Sequence, residues 1–92
     1  MSITIGGTTF DRVDYDRERD VLYLDLSEPV EVADYDESAE GHGLRFDAHG
    51  RLVGLTMLNP RWMVERGGPI TVTIPVREPV DPAQLAPVID AV

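Results

Sequence analysis

Val21-Leu22-Tyr23-Leu24-Asp25-Leu26-Ser27 carries the clearest structural signal in the sequence. Leu22, Leu24 and Leu26 fall on one side of a period-two pattern, and Tyr23 and Asp25 fall on the other. That alternation predicts a strand with one buried face. The same period recurs on both sides of it. Upstream, Ile3 and Ile5 predict a short strand ended by Gly6-Gly7. Residues 8–15 predict a second strand with Val13 and Tyr15 on one face, and residues 16–20 a polar turn. Downstream, Pro29 interrupts the pattern or places the next segment at an edge, and Val30 and Val32 continue it. Residues 38–43 read as a loop around His42, after which Leu44 and Phe46 share a face.

Asp47-Ala48-His49-Gly50 has the composition of a hairpin turn, with Asp47 opening it and Gly50 supplying positive φ at its end. Residues 51–58 return as a strand that is apolar on both faces, which predicts a central position. Gly54 inside it marks a close approach or a bulge. Asn59 as cap, Pro60 in the first helical position and Gly67 as stop predict a short helix, stapled by Leu58 and Met63. Asp81 and Pro82 repeat that code, with Val80 and Leu85 as the staple and Gln84 at the capping-box position. Leu85, Val88, Ile89 and Val92 then share a face, and Pro87 predicts a kink or two short turns. Between the helices, Ile70, Val72, Ile74 and Val76 alternate as one strand. The expectation is one domain over residues 1–92, α+β and mainly β. It has about six antiparallel strands, a short helix after residue 59 and a C-terminal helix packed on one face. Its predicted core is Leu22, Leu24, Leu26, Leu44, Phe46, Val53, Leu55, Ile74 and Leu85.

Seventeen acidic residues against eight basic ones give a net charge of −9 over 92 residues. The basic residues are all arginine, and cysteine is absent. Thiol nucleophiles, disulfides, thiolate metal sites, Schiff bases and the P-loop lysine are thereby excluded. The charge is segregated. Residues 11–40 hold twelve acids and three arginines and so carry the whole net charge, while residues 41–92 balance. Such a region repels nucleic-acid phosphates and anionic membranes and favours a cationic partner. Residues 1–10 lack a basic start and a long apolar run, and no stretch approaches a membrane span of about 20 apolar residues. A cytoplasmic location is the expectation for a cysteine-free chain of this kind.

Tyr15-Asp16, then Asp20-Val21-Leu22-Tyr23-Leu24, then Phe46-Asp47, Gly50-Arg51-Leu52-Val53-Gly54 and Leu58-Asn59 form an ordered series. It resembles a small bacterial family, domain of unknown function 2283, over about residues 15–59. The residues that carry the resemblance are Tyr15, Asp16, Asp20, Leu22, Tyr23, Asp47, Gly50, Gly54 and Asn59. Thr56 stands where that pattern has a glutamate. The resemblance implies a compact, mainly β domain and no established enzyme activity. It also implies gene pairs with small basic proteins of nuclease-toxin type, and hence a small basic protein as partner.

The site candidates follow from chemistry and spacing. Asp14, Asp16, Glu18 and Asp20 resemble the start of a calcium loop, but Arg19 takes the glycine position and Asp25 the final glutamate position. Asp16 and Asp20 are therefore weak metal candidates, and a hairpin turn whose carboxylates bond local amides is the simpler reading. His42 and His49 lie seven residues apart, roughly 20 Å along a strand, too far to share a metal. His49 reads as a turn residue, and His42, between two glycines, as a candidate base or pH sensor. Tyr23 reads as half-buried packing, and Trp62 as core cover or an interface anchor.

The leading functional expectation is a non-catalytic module that binds a basic protein, in its sharpest form an antitoxin-like neutraliser. Its surface would comprise Asp25, Glu28, Glu31, Asp34, Asp36, Glu37 and Trp62. The alternatives are a homo-oligomer, a homodimer paired through residues 70–76 or 3–5, and a small metal-dependent hydrolase built on Asp16, Asp20, His42 and Asp47. No cofactor is implied.

Overall fold

A computed structural model describes residues 1–90. The strands are β1 (Ile3–Ile5), β2 (Thr8–Phe10), β3 (Arg12–Asp16), β4 (Val21–Asp25), β5 (Asp34–Glu37), β6 (Gly43–Phe46), β7 (Leu52–Leu58), β8 (Ile70–Ile74) and β9 (Val76–Val80). Helix α1 (Pro60–Arg66) follows β7, and α2 (Pro82–Ile89) follows β9. The fold is α+β and mainly strands, as the alternation predicts.

Its centre is a five-stranded antiparallel sheet in the order β3-β4-β7-β6-β5. β7 lies in the middle, which explains why its residues are apolar on both sides. Residue register assigns the two faces. Tyr15 pairs with Leu22, which pairs with Met57, and Val13 with Leu24, which pairs with Leu55 and then Leu44. Side chains opposite each other in a ladder share a face, so these residues form one apolar face. It is closed by the hairpins β1–β2 and β8–β9 and by α2, whose Ile3, Ile5, Phe10, Ile70, Val72, Val80, Leu85, Val88 and Ile89 join the same buried cluster. The opposite face of the sheet carries the polar members of each strand.

Several expectations are corrected. Residues 8–15 form two strands in different sheets, because the chain turns at Asp11. Its carboxylate accepts the Ser27 N–H at 2.8 Å and the Ser27 hydroxyl, which pins that corner. Val30 and Val32 lie in irregular chain, and the edge strand forms instead from residues 34–37, three of them acidic. The strand expected over 70–76 ends at Ile74. Pro75 makes the turn, and residues 76–80 return as β9 with Pro79 opposite Thr71. Pro79 is tolerated because this two-stranded hairpin leaves β9 a free edge. Of the predicted core, Leu22, Leu24, Leu44, Leu55 and Leu85 are buried in the main cluster. Leu26, Phe46 and Ile74 are only half-buried against it, and Val53 is buried outside it. Ile3, Ile5, Phe10, Leu52, Met57, Ile70, Val72, Val80, Val88 and Ile89 complete the core.

The helix starts divide. Asp81 caps α2 as expected, accepting from the Ala83 N–H at 2.9 Å. Gln84 does not close a capping box, because its amide instead bonds both the N–H and the carbonyl of Thr4. The helix runs through Pro87 unbroken, with Leu85, Val88 and Ile89 buried. Val92 lies outside the described residues. In α1, Asn59 adopts a left-handed conformation and makes no side-chain cap. Leu58 is exposed rather than stapled, and Trp62, 56% exposed, is not core cover.

Candidate functional site

The uncovered face of the five-stranded sheet is built from the outward half of each strand's alternation. One row across it reads Arg12, Asp25, Gly54, Arg45, Tyr35. The next reads Asp14, Tyr23, Thr56, Gly43, Glu37. Tyr23 is 40% exposed and Tyr35 72% exposed, so Tyr23 is less packed than its sequence position suggests. Arg12, Asp14, Tyr23 and Asp25 line an open depression of about 460 Å³ on this face.

Arg45 organises the middle of the face. Its guanidinium donates to Asp25 Oδ1 at 2.9 Å, to Thr56 Oγ1 at 3.0 Å and to the Leu24 carbonyl at 3.3 Å. It lies flat over Gly54, where a Cβ would stand 2.8 Å from Arg45 Cζ. The close approach signalled by Gly54 is thus the passage of this side chain. The signalled bulge is present too, as a shift of register between Arg45 and Phe46.

The other surface candidates are spread more widely. Glu28 and Glu31 are exposed on the 26–33 connection, which carries the chain from β4 to the far edge of the sheet. Asp34, Asp36 and Glu37 lie on that edge, exposed. Asp34 and Asp36 pair with Phe46 and Leu44 and so belong to the covered side, while Glu37 belongs to the open side. Trp62 follows the Leu58 end of β7, away from the Gly54 end where Asp25 sits. Its ring is covered by Arg66, whose Cζ is 4.5 Å from the ring centroid. The seven candidates do not form one rim.

The residues of the family-like series have structural roles. Asp20 Oδ1 accepts from the Tyr15 hydroxyl at 2.7 Å and from the Arg61 N–H at 3.0 Å, and Oδ2 accepts from the Trp62 N–H at 3.2 Å. Asp20 therefore caps α1 from about 40 residues away, and its carbonyl accepts the Asn59 N–H. Burial, helped by the bond to Asp20, raises the Tyr15 phenol above its usual pKa. Asp16 accepts from the N–H and the guanidinium of Arg19, and these bonds hold its carboxyl below the ordinary range. Asp47 accepts from the N–H groups of His49 and Arg51, with the same effect. Gly50 has φ of 78° in open space, as the turn code requires. Leu22 is core, and Tyr23 faces out.

His42 is 2% exposed. Its N–H donates to Ser38 Oγ, and its Nδ1 accepts the Leu58 N–H at 3.0 Å, which places the ring proton on Nε2. Among the described residues, Nε2 has no hydrogen-bond partner. Burial holds its pKa below 6.5, opposed by the charge of Glu40. His49 lies exposed in the turn. Asp20 and Asp47 sit at opposite ends of the sheet and His42 is enclosed, so the residues considered for hydrolysis do not converge. Among the described residues, no group of three His, Asp or Glu side chains could hold a metal ion, and no helix is long and apolar enough to cross a membrane.

The sequence had not singled out Arg12, Tyr35 or Arg45, and had marked Asp14 only within the calcium-like turn and Thr56 only as a departure from the family pattern. The available signal was the polar side of each strand's alternation, which marks a face once the strand order is known.

Comparison with known proteins adds one finding. No curated protein and no solved structure matches this chain. A family model described as "Protein of unknown function (DUF2283)" matches residues 12–60. That segment is β3 to β7 with the first residue of α1, so the match coincides with the five-stranded sheet, and the elements that close its core face lie outside it. The chain belongs to this family of unknown function, DUF2283.

Proposed function

We propose that this chain is a non-catalytic protein-binding module that presents the open face of its five-stranded sheet to a basic protein. One observation carries the reading. A sheet face that no element covers among the described residues displays Tyr23 and Tyr35 among Asp14, Asp25 and Glu37, beside Arg12 and the Asp25-paired Arg45, and its tyrosines and acids lie within the part of the sequence that holds the whole net charge. Exposed tyrosines supply amphipathic contact area at low entropic cost, and aromatic residues are enriched where interfaces bury energy. The surrounding carboxylates favour cationic partners and repel nucleic acid and anionic membranes. Neutralisation of a small basic partner, in the manner of an antitoxin, is the specific form this activity takes.

The test is retention of host proteins by the immobilised chain at low and at high salt, beside a Tyr23→Ser/Tyr35→Ser variant. The wild type should hold a basic protein at low salt and the variant should lose it. Retention of no basic protein, or equal retention by both, would reject the proposal.

A further inference from the structure

β5 is an edge of the five-stranded sheet, and a bare edge invites pairing with a second chain. The direction of its backbone groups follows from the ladder. The Ser38 N–H donates to the His42 carbonyl at 2.8 Å. Bonded pairs alternate in an antiparallel ladder, so Asp36 also turns its backbone groups toward β6, and at the start of the strand the Ala33 N–H donates to the Phe46 carbonyl. The N–H and C=O groups of Tyr35 and Glu37 therefore point off the edge. The same alternation emerges independently across the sheet, where the Asn59 N–H donates to the Asp20 carbonyl.

Neither outward N–H is left open. The Tyr35 N–H donates to Asp34 Oδ1 at 3.0 Å, and the Glu37 N–H to Asp36 Oδ1 at 2.8 Å. Each edge donor is closed by the carboxylate of the residue before it. All four residues of β5 are exposed, and among the described residues β5 pairs with no strand but β6.

We infer that Asp34 and Asp36 guard the β5 edge, occupying its two outward amides so that a second copy of this chain does not add a strand there. An incoming strand would have to displace both carboxylates to reach the donors. Two β5 edges meeting about a two-fold axis at Asp36 would also set that carboxylate against its own counterpart. This role is independent of the partner proposed for the open face.

Sedimentation velocity over a wide range of protein concentration tests it, with amide hydrogen exchange at Tyr35 and Glu37 as a second readout. In Asp34→Ala/Asp36→Ala the mass should climb with concentration toward twice the wild-type value, and the two amides should become protected in step. Asp34→Asn/Asp36→Asn keeps a side-chain oxygen on each amide and should keep the wild-type mass. Adding Glu37→Pro to the alanine pair removes one outward donor and should restore the wild-type mass. Asp36→Ala alone gives the same readout with a smaller perturbation, should the alanine pair not fold. An alanine variant that stays at wild-type mass with unprotected amides would overturn the inference. So would an asparagine pair that associates as readily as the alanine pair, because charge rather than amide capture would then be the guard.

Discussion

Asp20 gathers three donors from two distant parts of the chain: the Tyr15 hydroxyl, and the Arg61 and Trp62 amides at the start of α1. Asp20→Ala leaves all three without that acceptor and should destabilise the chain by roughly 1 to 3 kcal/mol. Asp20→Asn keeps an acceptor and tolerates the left-handed backbone at φ 55°, so it should cost less. Urea denaturation separates the two, and equal costs would mean that the carboxylate is not the cap. Gly54 makes a different prediction. A Cβ there displaces the Arg45 guanidinium from Asp25, Thr56 and Leu24, so Gly54→Ala should cost roughly 1 to 3 kcal/mol. Once Arg45→Ala has removed the obstacle, the same substitution should cost much less, a non-additivity visible in a double-mutant cycle. Gly50 has no neighbour for a Cβ to meet. Gly50→Val should still cost about 1 kcal/mol or more, through φ strain alone.

The connection between β5 and β6 is held by Ser38, Glu40 and His42. Glu40 reaches across to the N–H and hydroxyl of Thr73 on β8. Burial would raise its carboxyl, but these bonds hold it down to about 2. His42 is depressed in the folded state by burial, so the unfolded chain takes up the proton first and stability rises with pH through that window. The folded state should therefore lose stability as pH falls below about 6.5. The contribution of Glu40 goes only as pH falls from 4.5 toward 2. Urea midpoints between pH 6.5 and 4.5 then report His42 among these shifted groups, and His42→Gln should flatten the slope. A wild type with no slope there would show that the imidazole is not buried neutral. These connections also show where the sequence was legible. β4, β7, the Asp47–Gly50 turn and the Asp81 cap are written in residues within a few positions of each other. The Asp20 cap joins residues about 40 positions apart, so the Asn59-Pro60 pair suggested a local cap that does not form. β5 escaped notice because an edge strand of Asp, Tyr, Asp and Glu has no buried face to impose alternation. β9 escaped because its Pro79 is tolerated only at a free edge, and an edge is a property of the assembled sheet.

The molecule joins a family-defined sheet to a closure that the family match does not include. One face of that sheet is the core and the other remains open, and the open face was legible only as the polar half of each strand. Its chemistry required the strand order β3-β4-β7-β6-β5, which no local pattern states. The net charge of −9 acts over the whole chain. Reversing Glu28, Glu31 and Glu37 to Arg should slow association with a basic partner markedly at low salt and little at high salt. It should leave folding intact or slightly strengthened by relief of like-charge repulsion. Stopped-flow rates at two ionic strengths would show this, and rates unchanged at low salt would make the acidic segment a solubility feature. The most direct measurement is hydroxyl-radical footprinting of the chain alone and in complex with the basic protein that the proposed retention experiment should recover. Tyr23 and Tyr35 should become protected in the complex, while Tyr15, bonded to Asp20 on the covered face, and Trp62 on α1 keep their reactivity. Tyrosines 23 and 35 as reactive in the complex as in the free chain would contradict docking on the open face.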